Sequence, residues 1–124
     1  MCSNLLRSVT ASYSYGIAGE DQWGCDIARR FRVRVHQYDC FDLRQPVCSD
    51  GATVFHPECI GPSYRTDEHG RIFNSLEDQF TNNGDTANHV VVKMDVEGAE
   101  WDTLRNTPST LFERIDQLAI ELHG

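Results

Sequence analysis

The sequence predicts an α/β fold: a Rossmann-like, mostly parallel sheet of strand order 3-2-1-4-5, with helices on both faces. Three observations predict it. Strand-like and helix-like segments alternate in the order β-α-β-β-α-β-α-β. The run from Val90 to Met94 is apolar apart from Lys93, as a strand covered on both faces requires. The first strand ends in a glycine turn, Tyr15-Gly16-Ile17-Ala18-Gly19, and a helix follows it. Right-handed crossovers then give the strand order.

Each element has its own signal. Ser12 to Ala18 alternates aromatic and small residues, the pattern of a strand closing in a tight turn. Glu20 and Asp21, then Trp23, Ile27 and Ala28 at helical spacing, then arginines, predict a helix over 20–31. Val33 to Tyr38 reads as the second strand, closed by Asp39. Cys40 to Gly51 contains Pro46 and a Ser-Asp-Gly turn, so it reads as loop. The third strand spans Thr53 to Phe55, with Ile60 as its furthest limit. Pro57 cannot donate to a ladder, so this strand is short or at an edge. Residues 61–70 are polar and turn-rich. Ser75-Leu-Glu-Asp78 resembles a capping box and predicts a helix over 75–82. After the fourth strand at 90–94, a helix is predicted over 99–106, ended by Pro108, and a fifth strand over Gln117–Leu122.

The 124 residues suit a single domain spanning 1–124. A net charge of −8 disfavours nucleic acid and anionic membrane as partners, since phosphate binding needs clustered cations. Arg29, Arg30, Arg32 and Arg34 do cluster, but at a helix end where the dipole favours them. No apolar run approaches the ~20 residues of a membrane span. The five cysteines, Cys2, Cys25, Cys40, Cys48 and Cys59, are odd in number and form no C-x-x-C pair. That argues against zinc. Free thiols in a reducing, cytoplasmic setting are the favoured reading, with a Cys40–Cys48 disulfide as the alternative.

In this fold a ligand crevice lies where the strand order reverses, at the C-terminal ends of the strands. Gly16 and Gly19 there would let a ligand approach the backbone, though glycines also end many strands without binding anything. Asp39 follows Gly16 by 23 residues, close to the spacing of an acid that accepts from a ribose; a helix cap or solvated acid is the alternative. Asp95 ends the buried strand at the switch point, and functional use is favoured there. Glu97 and Glu100 read as acids at a helix start. Glu121 and His123 end the neighbouring strand. Asp95, Glu97 and His123 together could hold a hard cation, but no metal is the favoured expectation.

Val92-Lys-Met-Asp-Val-Glu-Gly-Ala-Glu-Trp101 resembles the K-x-D-V-E-G-x-E signature of FkbM-type methyltransferases. Tyr13-Ser-Tyr-Gly-Ile17 resembles the opening strand of a methyltransferase-like eukaryotic branch, and Leu118-Ala-Ile-Glu-Leu-His123 its following strand. The resemblance implies S-adenosyl-L-methionine as methyl donor and O-methylation of a small molecule or sugar. It would place Tyr15, Gly16, Ile17 and Gly19 at the methionine end of the donor, Asp39 at the ribose, and Cys59 and Ile60 beside the adenine. Asp95 becomes the first candidate for orienting or deprotonating the acceptor, with Glu121 and His123 as alternatives. The glycine loop is shorter than the family's usual one. The chain also stops after the fifth strand, where such enzymes carry a further helix and an antiparallel strand pair. A fragment, or a partner chain covering the fifth strand's edge, is therefore expected. The rival expectation is a catalytically inactive nucleotide-binding or interaction module.

Overall fold

The structure, a computed structural model, describes residues 9–49, 51–85, 89–95 and 99–120. Its elements in chain order are β1 (Val9–Tyr15), α1 (Gln22–Phe31), β2 (Arg34–Tyr38), β3 (Thr53–His56), β4 (Glu58–Ile60), β5 (Arg65–Thr66), β6 (Ile72–Asn74), α2 (Leu76–Asn82), β7 (His89–Met94), α3 (Ala99–Arg105), α4 (Ser109–Phe112) and β8 (Ile115–Ile120). Five strands form one all-parallel sheet of order β3-β2-β1-β7-β8. This is the Rossmann-like arrangement expected from the sequence, with β7 and β8 as the fourth and fifth strands. The order reverses between β1 and β7, which locates the switch point.

The period-two alternation of β1 divides its side chains between two different surfaces. Tyr13 and Tyr15 join Tyr38, Val90, Val92 and Met94 on one face, beneath Leu76 and Phe80 of α2 and Leu111 of α4. The other face is covered by α1. Ile27 and Ala28 pack against Val33 and Val35, while Trp23 and Phe31 pack against Val9 and Val91. Burying one side chain of the size of Ile27 stabilises by roughly 1.5–3 kcal/mol, so this apolar stripe is what holds α1 to the sheet.

Asp21 sets where α1 begins. It is the N-cap residue, so it precedes the first turn that the acid pattern had suggested it joins. Its carboxylate is buried and accepts three hydrogen bonds: Gly24 N at 2.9 Å, Ser14 Oγ at 3.0 Å and Gln37 Nε2 at 3.0 Å. One side chain thus ties the start of α1 to β1 and β2. At the far end, Arg32 closes the helix in a left-handed conformation, and Arg29 and Arg30 occupy the last turn, as the dipole favours. Ser75 caps α2 as its sequence predicts, accepting from Asp78 N at 3.2 Å.

The structure differs from the sequence reading in several places: β1 begins at Val9 rather than Ser12, β8 at Ile115 rather than Gln117, and α4 has no counterpart in it. Beyond Pro57 the third strand does not continue; Glu58–Ile60 pairs with β6 instead, and β6 with β5, as a separate three-stranded sheet. Pro57 lacks the N–H that a continued ladder would need. Short polar strands such as Arg65–Thr66 carry no periodicity, which is why 61–70 read as turn. The expectation of free thiols is also corrected. Cys25 is bonded to Cys48, and Cys40 to Cys59 rather than to Cys48. The fold sets both pairings: Cys40 follows β2 and Cys59 lies in β4, elements far apart in sequence and adjacent in space.

Replacing Asp21 with Ala strands a serine hydroxyl, a glutamine amide and a helix N–H. The expected loss is about 2–4 kcal/mol, read as a lowered urea midpoint at unchanged slope.

Candidate functional site

Three strand ends meet at one level. Tyr15 is in register with Tyr38 on one side and Met94 on the other. One residue beyond, Gly16 N donates to Tyr38 O at 3.0 Å, Asp95 N to Tyr15 O at 3.1 Å, and Asp39 N to His56 O at 3.3 Å. Gly16, Asp39 and Asp95 therefore share the rim of the switch point. The turn after β1 is built from left-handed residues: Gly16 at φ 77°, Ala18 at φ 50° and Gly19 at φ 80°. At Gly16 and Gly19 the missing side chain removes the cost of this conformation. At Gly19 the Arg44 side chain also closes the space, since a Cβ there would lie 2.9 Å from its Nε.

Asp39 organises the rim. One carboxylate oxygen accepts from Ala18 N at 2.9 Å. The other accepts from Phe41 N at 2.8 Å and Asp42 N at 3.0 Å. The glycine turn and the loop after β2 are thus joined through a single buried carboxylate. Ionised, it offers about four lone-pair sites, so one acceptor direction remains after these three amides. Arg44 reinforces the joint by donating to Ala18 O at 3.2 Å while forking onto Asp42. The Arg44 fork holds the Asp42 carboxyl well below the usual carboxylate range.

Beside the turn lies a cleft of about 490 Å³. Gly19, Glu20, Asp21, Gln22 and Cys25 form its inner wall, and Gln45, Pro46 and Val47 its outer wall. Of the residues proposed for the donor, only Gly19 lines it. Tyr15 and Ile60 are core residues, with Tyr15 donating its hydroxyl to Gln79 Oε1 at 2.9 Å. Ile17 is buried beneath the turn. Cys59 is tied to Cys40 by its disulfide. Asp95 is half-buried at the rim. Glu97, Glu121 and His123 lie outside the described residues. Tyr64, Arg65 and His69, between β4 and β6, are all exposed, and Arg65 stacks on Phe73 with its guanidinium carbon 4.0 Å from the ring centre. Among the described residues no group of three His, Cys, Asp or Glu side chains could hold a metal ion. Sequence reasoning missed Asp21 and Arg44. Asp21 carries a weak signal, an Asp three residues before a glycine that donates to it; Arg44 in an irregular loop carries none.

A second polar cluster lies on the tyrosine face. His36 Nδ1 and His56 Nε2 are 2.9 Å apart, so one ring donates and the other accepts. His36 Nε2 stands 3.8 Å from Asp85, which also accepts from the Tyr13 hydroxyl. Asn83 donates to Tyr38 Oη at 2.7 Å and to Tyr13 Oη at 3.2 Å. Burial raises the hydroxyl pKa of Tyr13, Tyr15 and Tyr38 far above its ordinary value. Burial, then the neighbouring His56, lowers His36 to about 4, and burial lowers His56 as well. The tyrosines are therefore hydroxyl donors and the histidines neutral at pH 7.

Comparison with protein-family models, with curated proteins and with solved structures finds no match for this chain.

The lowered histidines give stability a pH dependence. Unfolded histidine takes its proton near pH 6.5, whereas folded His36 resists until about 4. The unfolded state binds more protons in that window, so stability is full above pH 6.5 and falls as the pH drops towards 4. The loss expected from His36 is about 2–3 kcal/mol; urea midpoints measured from pH 7 to 4 should show it, with a shallower slope in His36→Gln. Separately, Asp39→Ala should cost about 2–4 kcal/mol by leaving three backbone amides without their acceptor, and should speed hydrogen exchange at Ala18, Phe41 and Asp42.

Proposed function

We propose that the chain is an S-adenosylmethionine-dependent methyltransferase acting on a hydroxyl of a small molecule or sugar. The observation that carries this reading is the convergence of a glycine turn, Asp39 and Asp95 on the rim where the parallel sheet reverses its order. An acid after the second strand and a glycine turn after the first suit a nucleoside-type ligand. The signature around Asp95 suits a methyl donor in particular.

The residues present fit such a donor in part. Gly16 would let the amino-acid end approach the backbone, while at Gly19 the Arg44 side chain stands against the turn. Asp39 keeps one acceptor direction for a ribose hydroxyl. Ile60 is buried in the core and Cys59 is bonded to Cys40, so the adenine end of the donor is the part these residues fit least. When bound, the donor supplies an electrophilic methyl group. The chain's own task is then to hold acceptor and donor in line, worth ~7–11 kcal/mol of barrier in well-oriented systems. Asp95 would orient the acceptor hydroxyl or take its proton, a contribution of typically ~10²–10⁴-fold. Glu121 and His123 are the alternative bases.

A second reading has its own observation. Three of Asp39's acceptor directions already serve backbone amides. This would suit a module that keeps the sheet and crevice as an interaction domain without catalysis. None of the described helices is long and apolar enough to cross a membrane, and the two disulfides favour an oxidising compartment over the cytoplasm.

Titration calorimetry with S-adenosylmethionine and S-adenosylhomocysteine decides between the readings. Heat is expected with both, and Asp39→Asn should weaken binding about tenfold by removing an ionised acceptor. A folded sample that gives no heat with either ligand excludes the methyltransferase reading. Intact binding with no methyl transfer to any of a panel of sugars and hydroxylated small molecules would favour the inactive module.

A further inference from the structure

The stretch from Cys40 to Ser49 has neither helix nor strand, and among the described residues it makes no backbone–backbone hydrogen bond. An irregular segment of this length needs other restraints to be ordered. Here they are two disulfides. Cys40, at its start, is bonded to Cys59 of β4; Cys48, near its end, is bonded to Cys25 of α1. The two anchors belong to opposite sides of the molecule. β4 contributes Ile60 to the core on the tyrosine face, and α1 covers the other face. The segment therefore crosses the rim as a strap from one layer to the other. Its middle residues, Gln45, Pro46 and Val47, are the outer wall of the cleft beside the glycine turn. Its other ties are the Asp39 carboxylate on Phe41 N and Asp42 N, Arg44 on Ala18 O, and the Phe41 ring, which meets Phe73 edge-on and lies under the Arg71 guanidinium at 4.3 Å.

We propose that residues 40–49 form a redox-controlled strap: the two disulfides hold it as the wall of the cleft, and their reduction releases it and opens the cleft. Cys48 and Cys59 are the half-buried members of the two bridges, so a reductant reaches each bridge from one end. The reductant is a dithiol. Its thiolate attacks one sulfur, the protein S–S bond breaks, and the released cysteine sulfur leaves as a thiolate and takes up a proton. The second thiol of the reductant then attacks the reductant's own sulfur in the mixed disulfide, and the remaining protein cysteine leaves as a thiolate and takes up a proton. Each bridge gains two electrons and becomes two thiols, while the dithiol becomes a disulfide. That a methyl donor binds at the glycine turn beside this cleft rests on the function proposed above; the release of the strap does not.

The test is hydrogen exchange on the full chain, oxidised and after dithiothreitol, with the freed thiols counted by mass. Amides of Ala18, Phe41, Asp42 and Arg44 should exchange at least about tenfold faster after reduction, while those of Tyr13, Val35 and Val91 stay protected. A Cys25→Ser/Cys48→Ser double variant, which keeps the Cys40–Cys59 bridge, should loosen Arg44 and Gln45 and leave Phe41 protected. Unchanged exchange after complete reduction would overturn the strap. Equal acceleration of the central-strand amides would overturn it too, because the bridges would then support the whole sheet. In parallel, S-adenosylhomocysteine should bind about tenfold more weakly to the reduced protein. Equal affinity in both forms would refute gating. No heat in either form would count against the methyltransferase reading, with the exchange data still deciding the strap.

Discussion

The buried carboxylate of Asp21 is the constraint on which the arrangement of the crevice depends. A charge out of water is costly unless it is paired or fully hydrogen-bonded, and this one meets that requirement by drawing donors from three elements. Ser14 and Gln37 are polar residues on buried positions of adjacent central strands, which an apolar helix face would leave unsatisfied. Asp21 supplies their acceptor and caps α1 with the same atoms. The turn from Gly16 to Gly19 must then be short and left-handed, because both of its ends are held. Asp39 locks the outside of that turn, and Arg44 covers it.

The opposite face of the sheet solves the same problem with different chemistry. Tyr13, Tyr15 and Tyr38 lie within 6.3 Å of one another, centroid to centroid, and present aromatic faces to Phe80 and to His56. Their hydroxyls end on Gln79, Asn83 and Asp85 from α2 and the residues just after it. A buried tyrosine combines large apolar area with a polar tip that needs a partner. Each of these tips finds one, so α2 is oriented by hydrogen bonds as well as by Leu76 and Phe80. Stability and crevice geometry are coupled: the strands whose ends form the rim are held beneath it by polar networks on both faces.

Much of the fold was legible because its signals are local. The alternation of β1, the apolar run of β7, the Ser75 cap and the proline at the end of β3 each reflect a constraint acting within a few residues. The small sheet was not legible, since Arg65–Thr66 and Ile72–Asn74 are too short to show a period. Nor were the disulfides. Cys25 and Cys48 are separated by 23 positions and Cys40 and Cys59 by 19, and either distance is compatible with many pairings. At the site, the sequence singled out the rim residues Gly16, Asp39 and Asp95. It could not show that Asp39 spends three acceptor directions on the backbone, because those amides belong to a turn and a loop that only the folded chain brings together.

By itself, then, the sequence determined the Rossmann-like layering, the strand order and the acids that stand at the strand ends. Those follow from hydrophobic periodicity and from the handedness of parallel crossovers, which act alike on any chain with this pattern. The tertiary structure decided which carboxylates are committed to holding the crevice together, which cysteines pair, and where the cleft lies. These depend on contacts between residues distant in sequence, whose donors and acceptors must be matched in three dimensions before any one of them has a defined role.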